Sequence, residues 1–119
     1  MANDDITIYH NPRCSKSRKT LEILREKGVE PTIVEYLKEP PSIEQLAQIL
    51  NMLGMQPRDV MRTGESEYRE NDFADTSLSD DELIRRMTEY PRVIERPIVT
   101  AGTKAVIGRP PENVLKLIE

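Results

Sequence analysis

The stretch of residues 9–18 constrains the fold more than any other part of the sequence. It contains the only cysteine of the chain, Cys14, and the only histidine, His10. The alternating apolar run at 6–10 is typical of a β-strand, and the run at 18–27 is compatible with a helix. Because the residues between these runs are polar turn formers, we expect them to form a surface loop. The sequence therefore predicts that Cys14 lies at or just before a helix N-terminus.

A helix N-terminus would favour the thiolate form of Cys14. The first backbone N–H groups of a helix have no intrahelical partner, and the helix dipole places partial positive charge there. Thiolates and bound oxyanions are both stabilised at such a position. Arg13, Lys16 and Arg18 add positive charge to the same stretch. We therefore predict a reactive thiol beside an anion site, with a pKa below the usual value of about 8.5. The alternative is an inert, buried cysteine.

The order of the predicted elements indicates an α/β fold of the thioredoxin-like type. That order is a strand at 6–10, a helix, a strand at 32–37, helices within 42–90, a hairpin at 98–107 and a last helix opening at Pro110. Strand, helix and strand form a βαβ unit with parallel strands. A βαβ half followed by a ββα half predicts a mixed four-stranded sheet. We expect a single domain, 1–119, with a helical insertion at about 42–90.

Two serines predict where helices of this insertion begin. Ser42 is followed by Gln45, and Ser79 by Glu82, and both pairs have the spacing of a capping box. The polar residues 63–76 are expected to form a loop or a brief helical turn.

Composition excludes several classes of protein. The net charge of -4 disfavours a general nucleic-acid binder, which needs a basic face. A single cysteine cannot form an internal disulfide, which fits a reducing compartment. Residues 1–5 are acidic without a signal-peptide pattern, and no apolar run is long enough to span a membrane. We therefore expect a cytoplasmic protein without nucleic-acid or membrane partners.

Cys14 and Ser17 form a C-x-x-S motif. In C-x-x-C sites the second cysteine resolves the mixed disulfide formed by the first. The Ser17 hydroxyl could donate a hydrogen bond to the thiolate but cannot exchange, so a catalytic cycle would need an outside thiol such as glutathione. Capping the helix is the alternative role for Ser17. His10 could lower the thiol pKa as a cation or accept its proton, and the alternative is a solvent-exposed histidine at a strand end.

Two arginines stand directly before prolines, at Arg96-Pro97 and Arg109-Pro110. Thioredoxin-like folds place a cis-proline before the third strand, facing the cysteine, and Pro97 has that position relative to 98–100. We therefore predict a cis peptide bond between Arg96 and Pro97, with Arg96 directed at the thiol. Arginine suits an oxyanion because its planar fork donates two parallel hydrogen bonds. The plain alternative is that these arginines are solvated surface charges.

Residues 10–21 resemble the active-site signature of the glutaredoxin-dependent arsenate reductases. Further blocks of that family follow in the same order at 36–37, 45–46, 53–54, 61–62, 95–99 and 108–112. The resemblance extends from residue 6 to residue 118. It implies that Cys14 is the nucleophile, that His10 and Ser17 tune its thiolate, and that three arginines form the oxyanion site: Arg62, Arg96 and Arg109.

Two departures from the family pattern concern the substrate. Ser15 and Lys16 replace the smaller residues of the resistance-type enzymes, and the chain stops soon after its last helix, without the C-terminal extension of some members. Both departures concern which substrate the protein acts on in the cell, more than the reaction chemistry at Cys14.

The resemblance implies a complete reaction. Arsenate would be reduced to arsenite with glutathione as co-substrate, and glutaredoxin would release the resulting mixed disulfide from Cys14. No bound metal or organic cofactor is expected, and we expect a monomer. One alternative is a general glutathione-dependent thiol-disulfide reductase. Another is a thiol-stress regulator that binds RNA polymerase, although Ser17 removes the C-x-x-C switch that such regulators usually carry.

Overall fold

A computed structural model describes residues 6–118 of the chain. The acidic segment 1–5, on which the signal-peptide prediction was based, lies outside the described residues. The chain forms two compact units, one made of residues up to 39 together with those from 96 onward, the other of residues 40–95. The second unit spans the interval 42–90 that we predicted to be a helical insertion. Within 6–118 no helix is both long enough and apolar enough to cross a lipid bilayer.

The first unit contains a four-stranded mixed sheet with the strand order β2-β1-β3-β4. The strands are β1 (Ile6–His10), β2 (Thr32–Glu35), β3 (Ile98–Ala101) and β4 (Lys104–Ile107). β1 pairs parallel with β2 and antiparallel with β3, and β3 pairs antiparallel with β4. This arrangement confirms the predicted thioredoxin-like α/β fold.

β2 is two residues shorter than predicted, because a turn begins at its end. The backbone N–H groups of Lys38 and Glu39 both donate to the carbonyl oxygen of Glu35, at 2.9 Å each. These bonds close a turn over residues that would otherwise extend the strand. The β-type composition of Tyr36 and Leu37 therefore did not decide their backbone conformation.

Helix α1 (Ser15–Glu26) connects β1 to β2 and begins immediately after Cys14. It starts before the expected run at 18–27, because Ser15 and Lys16 are exposed and contribute nothing to the apolar stripe by which that run was recognised. The helix ends at Glu26, and the chain leaves it through Gly28, whose φ of 78° is left-handed and suits glycine.

The core of the first unit lies between the sheet, α1 and the C-terminal segment. Its buried members are Ile6, Ile8, Leu21, Ile23, Leu24, Val29, Val99 and Val114. The predicted last helix is in fact a 3-10 turn (Pro111–Val114) followed by α5 (Leu115–Ile118). In that turn the Asn113 N–H donates to the Pro110 carbonyl, three residues back, at 3.0 Å. This is the spacing of a 3-10 helix, which is frequent where an α-helix begins.

The second unit is helical. It contains α2 (Ile43–Leu53), a 3-10 turn (Pro57–Val60), α3 (Ser66–Glu70), α4 (Asp80–Glu89) and a second 3-10 turn (Pro91–Val93). Phe73 is fully buried here, stacked on Tyr68 and edge-on to Tyr90. The brief helical turn expected within 63–76 is α3.

The two predicted capping boxes have different outcomes. The box of Ser42 and Gln45 is confirmed, since each side chain accepts the other's backbone N–H. The second box is only half formed. Ser79 accepts the Glu82 N–H at 3.2 Å, but the Glu82 carboxylate pairs with two arginines of its own helix, Arg85 and Arg86. Two guanidinium partners compete with one backbone N–H for that carboxylate.

Candidate active site

Cys14 occupies the N-cap position of α1, with extended backbone angles of φ -93° and ψ 124°. Its N–H donates to the Asn11 carbonyl oxygen at 3.0 Å, and the Asn11 side-chain oxygen accepts the Arg13 N–H at 3.0 Å. Arg18 adds a hydrogen bond from its guanidinium to the Pro12 carbonyl at 2.9 Å. The loop is thus fixed by its own backbone and by the helix that follows it. Asn11 was not among the predicted site residues, although an asparagine before a proline is a turn signal.

The Cys14 side chain is more buried than we expected from its polar neighbours. It is only 9% exposed, while Arg13, Ser15 and Lys16 are exposed. The expectation of a surface position therefore holds for the flanking side chains and is wrong for the sulfur. The polarity of a loop does not determine which of its side chains turns inward.

Burial raises the pKa of the Cys14 thiol, but favourable interactions with the thiolate outweigh burial and the net pKa is lowered. In order of size, these interactions come from the backbone N–H of Ser17, the charge of Arg96, the backbone N–H of Lys16 and the charge of Arg109. The predicted direction is therefore confirmed, and the helix N-terminus contributes as expected. The charges that act on the thiol are those of Arg96, which we predicted to be directed at it, and of Arg109. The exposed cations of the loop, such as Arg13, are screened by water.

His10 and Ser17 form a buried pair beside the cysteine loop. The His10 Nδ1 atom lies 2.7 Å from the Ser17 Oγ atom, and Ser17 Oγ also accepts the Asn11 N–H at 3.0 Å. His10 is 6% exposed and Ser17 is fully buried. The alternatives of a solvent-exposed histidine and a helix-capping serine are therefore both wrong, since Ser17 lies inside the first turn of α1.

Burial lowers the pKa of His10 below its ordinary value, although the charge of Glu35, its neighbour across the parallel strands, acts in the opposite direction. Arg25 and Arg18 also lower this pKa. The imidazole is accordingly neutral near pH 7, so His10 does not stabilise the thiolate as a cation. Its hydrogen bond to Ser17 leaves two roles open: proton acceptor, or orientation of the Ser17 hydroxyl.

Arg96 and Arg109 lie on two segments that are joined to each other. Both arginines are followed by cis peptide bonds, which confirms the prediction for Arg96-Pro97 and adds Arg109-Pro110, which we did not predict. The Gly108 N–H donates to the Pro97 carbonyl at 2.9 Å, and an Arg109 guanidinium nitrogen lies 3.5 Å from the Arg96 carbonyl oxygen. Both side chains are half-buried and both act on Cys14 through their charge.

Arg62 belongs to the second unit and carries an ion pair of its own. Its guanidinium lies 3.2 Å from the Glu65 carboxylate, and both side chains are about one quarter exposed. Its backbone N–H donates to the Val93 carbonyl at 2.7 Å. The place of Arg62 in an oxyanion site stays a prediction.

The first unit thus brings together a thiol with a lowered pKa, two helix N–H groups and two guanidinium charges. This combination suits a nucleophile that attacks an anionic substrate, because the same groups stabilise both negative charges. Within residues 6–118, no three side chains of His, Cys, Asp or Glu are grouped so that they could hold a metal ion.

The chain is similar to known proteins along most of its length. The model of the ArsC family matches residues 9–117. An uncharacterised Escherichia coli K12 protein, YfgD, is 52% identical over 114 residues, which are 95% of this chain and 96% of that protein. The arsenate reductase of Haemophilus influenzae is 45% identical over 114 residues, covering 95% of this chain and 98% of the relative. The solved arsenate reductase of Vibrio cholerae superposes with a TM-score of 0.91 at 46% identity, covering 94% of this chain and 96% of that one.

Proposed function

The chain belongs to the ArsC family, and on that premise we propose that it is an arsenate reductase that works through a covalent adduct on Cys14. Glutathione supplies the electrons, and glutaredoxin regenerates the thiol. One observation carries the proposal: the only cysteine of the chain lies at a helix N-cap, and the charges of Arg96 and Arg109 help to lower the pKa of its thiol.

Binding must first overcome the repulsion between arsenate and the Cys14 thiolate. A helix N-terminus contributes only about 0.3–1 kcal/mol per charge at exposed sites. Charge-assisted hydrogen bonds contribute roughly 1.5–3 kcal/mol each, so Arg96 and Arg109 can supply the larger part. The family resemblance also implies an oxyanion-binding role for Arg62, whose guanidinium is paired with Glu65 within the second unit.

In the first chemical step the Cys14 thiolate attacks the pentavalent arsenic. A sulfur–arsenic bond forms, one arsenic–oxygen bond breaks, and the oxygen leaves as water after protonation. Arsenic stays pentavalent in this step. Arg96 and Arg109 remain hydrogen-bonded to oxygens that carry the negative charge throughout.

The second step is the reduction. The glutathione thiolate attacks the Cys14 sulfur, a disulfide bond forms, and the electron pair of the sulfur–arsenic bond passes to arsenic, which becomes trivalent. Two thiols are oxidised to one disulfide while arsenic gains two electrons. Glutaredoxin then attacks the glutathione sulfur of the mixed disulfide and releases the Cys14 thiolate. No residue of this chain can take that role, because Ser17 stands where a resolving cysteine would be.

His10 and Ser17 would orient one hydroxyl hydrogen. Ser17 has one hydrogen to donate and two lone pairs, and one lone pair is used by the Asn11 N–H. If neutral His10 carries its proton on Nδ1, it fills the second lone pair, and the Ser17 hydrogen is left for the thiolate. In the other tautomer, the Ser17 hydrogen goes to His10 instead. We propose that the first tautomer is the active one.

A coupled assay with Cys14→Ser tests the proposal. The mixture contains arsenate, glutathione, glutaredoxin and a nicotinamide-linked glutathione reductase. Cys14→Ser should show no turnover above the uncatalysed rate, because no other thiol exists to form the adduct. It should fold normally, since serine is a preferred N-cap residue and Cys14 occupies an N-cap. A urea titration provides the folding control.

The same assay distinguishes an arsenate reductase from a general thiol-disulfide reductase. A glutathionylated substrate is offered in place of arsenate under otherwise equal conditions. Turnover of the mixed disulfide with no turnover of arsenate would contradict the proposal and favour that alternative. Arsenate reduction by the Cys14→Ser variant would contradict the covalent mechanism itself.

A further inference from the structure

Gly108 lies at the place where the helix that carries Cys14 meets the segments that carry the two arginines. It directly precedes Arg109 and donates its N–H to Pro97, the residue after Arg96, at 2.9 Å. It is buried, although glycine has no side chain of its own to bury. Its φ lies outside the left-handed region, so backbone conformation does not demand a glycine here.

The requirement for glycine at this position is one of space. A Cβ atom added to Gly108 would lie 2.6 Å from the Thr20 Oγ1 atom, 2.9 Å from the Pro97 Cγ atom and 3.2 Å from the Thr20 Cγ2 atom. Non-bonded heavy atoms prefer separations of about 3.5–4.0 Å, so these contacts are too close to be absorbed without movement. A side chain at position 108 must displace either helix α1 or the arginine-bearing segments.

Thr20 cannot easily move aside. Its side chain is fully buried, and its Oγ1 atom donates a hydrogen bond to the Lys16 carbonyl at 2.8 Å. That bond ties Thr20 to the first turn of α1, which also provides the Lys16 and Ser17 N–H groups beside the sulfur. The backbone of Gly108 therefore lies close to the Thr20 side chain, in the second turn of the helix that has Cys14 at its N-cap.

We propose that Gly108 is a positioning residue, whose missing side chain sets the separation between the Cys14 end of α1 and the segments that carry Arg96 and Arg109. The inference rests on the proposed roles of Cys14 and these arginines. It adds a residue that touches neither thiol nor substrate and acts through the distance between them. The lowered pKa of Cys14 provides a readout, because both guanidinium charges contribute to it.

The first test measures the iodoacetamide alkylation rate of Cys14 against pH in Gly108→Ala. A nearby opposite charge shifts a pKa by about 1–3 units when fully in place. If Arg96 and Arg109 move slightly away from Cys14, the pH midpoint of alkylation should therefore rise by roughly half a unit. The matched control is Gly64→Ala, since a Cβ at Gly64 meets nothing within 4 Å and its φ is also outside the left-handed region. This control should keep the midpoint of the unsubstituted protein.

Two double variants identify the contact. Thr20→Ala combined with Gly108→Ala removes the two Thr20 atoms that meet the new Cβ but leaves Pro97 Cγ 2.9 Å from it. This double variant should therefore return the midpoint part of the way to that of Thr20→Ala alone. Thr20→Ser combined with Gly108→Ala keeps an oxygen at the closest position, so its midpoint should stay raised. If Gly108→Ala does not fold, the first double variant carries the test. It should fold, with a midpoint above that of Thr20→Ala by less than roughly half a unit, because Pro97 still meets the new Cβ.

The proposal is overturned by a folded Gly108→Ala protein with an unchanged midpoint. It is also overturned if both double variants restore the midpoint equally, or if the Thr20→Ala double variant is unfolded or keeps the full rise of the midpoint. Because the measurement contains no arsenate, glutathione or glutaredoxin, its result does not depend on whether arsenate is the substrate. Failure of the proposed function would appear in the coupled assay instead.

Discussion

At the scale of single residues, three kinds of neighbour act on the Cys14 sulfur. Burial disfavours its thiolate, the Ser17 and Lys16 N–H groups favour it, and the charges of Arg96 and Arg109 favour it further. The N–H groups belong to the same turn of chain, whereas the arginines are about eighty to one hundred residues away in sequence. Under the proposed function the arginines would have a second use, the binding of an oxyanion whose charge the helix end alone would not offset.

Arg96→Lys should separate the charge of the arginine from its geometry. Lysine keeps the positive charge, so the thiol pKa should change little, but it loses the planar fork that grips two oxygens. Losing one charge-assisted hydrogen bond of about 1.5–3 kcal/mol predicts a fall in kcat/KM for arsenate of about ten-fold or more.

The control for this prediction is Arg92→Lys, which changes an exposed arginine in the 3-10 turn Pro91–Val93. It should retain full activity. Steady-state kinetics and the alkylation profile are measured on both variants. Arsenate kinetics of Arg96→Lys equal to those of Arg92→Lys would remove Arg96 from the oxyanion site.

At the scale of elements, the helix N-termini of this chain differ in what their free N–H groups bind. The N-terminus of α1 has no side-chain cap, and its N–H groups are directed to the thiolate instead. The N-termini of α2 and α4 are capped by Ser42 and Ser79 in the ordinary way. The start of α1 thus lacks the side-chain cap of α2 and α4, as does the start of α3, but of these only α1 has a thiol at its N-cap. Under the proposed function, the helix start at the site of chemistry departs from the local capping rule.

Ser42→Ala should destabilise the protein without affecting the thiol. The substitution removes the acceptor for the Gln45 N–H, and loss of such a cap typically costs about 1 kcal/mol. Urea titration should show that decrease in the free energy of unfolding, while the alkylation midpoint of Cys14 stays the same.

Ser66→Ala is the comparison for the cap. Ser66 is exposed within the first turn of α3, where no side-chain cap is formed, so its loss should cost little. Equal stabilities of the Ser42→Ala and Ser66→Ala variants would mean that the capping box contributes nothing measurable.

At the scale of the whole molecule, buried His10 couples stability to pH. Its folded pKa lies below the unfolded value of about 6.5, so below that pH the unfolded chain binds more protons than the folded one. The stability that comes from keeping the imidazole neutral is complete above about pH 6.5 and is lost as the pH falls toward the folded pKa. Acidification should therefore weaken the fold before most carboxylates titrate.

His10→Asn tests this coupling. Asparagine can place a polar atom near the position of Nδ1 but does not titrate. The drop in unfolding free energy between about pH 7.5 and about pH 5.5 should be smaller in His10→Asn than in the unsubstituted protein. The same drop in both proteins would assign the pH dependence to other groups.

The sequence by itself determined much of the fold and part of the site. Alternation at 6–10, the βαβ order and the hairpin at 98–107 predicted the mixed sheet, because these signals are local and agree with one another. The position of Cys14 at a helix N-terminus followed from its flanking runs in the same way. The cis bond at Arg96-Pro97 was predicted from the position of Pro97 directly before the third strand.

Only the tertiary structure decided how the site is assembled. It buried the Cys14 sulfur inside a polar loop, made His10 a neutral partner of Ser17, and brought the charges of Arg96 and Arg109 to bear on a distant thiol. It also pressed Gly108 against Thr20. Local patterns cannot specify these contacts, since burial and charge depend on which distant segments the sheet brings side by side, and that depends on packing rather than on the spacing of residues along the chain.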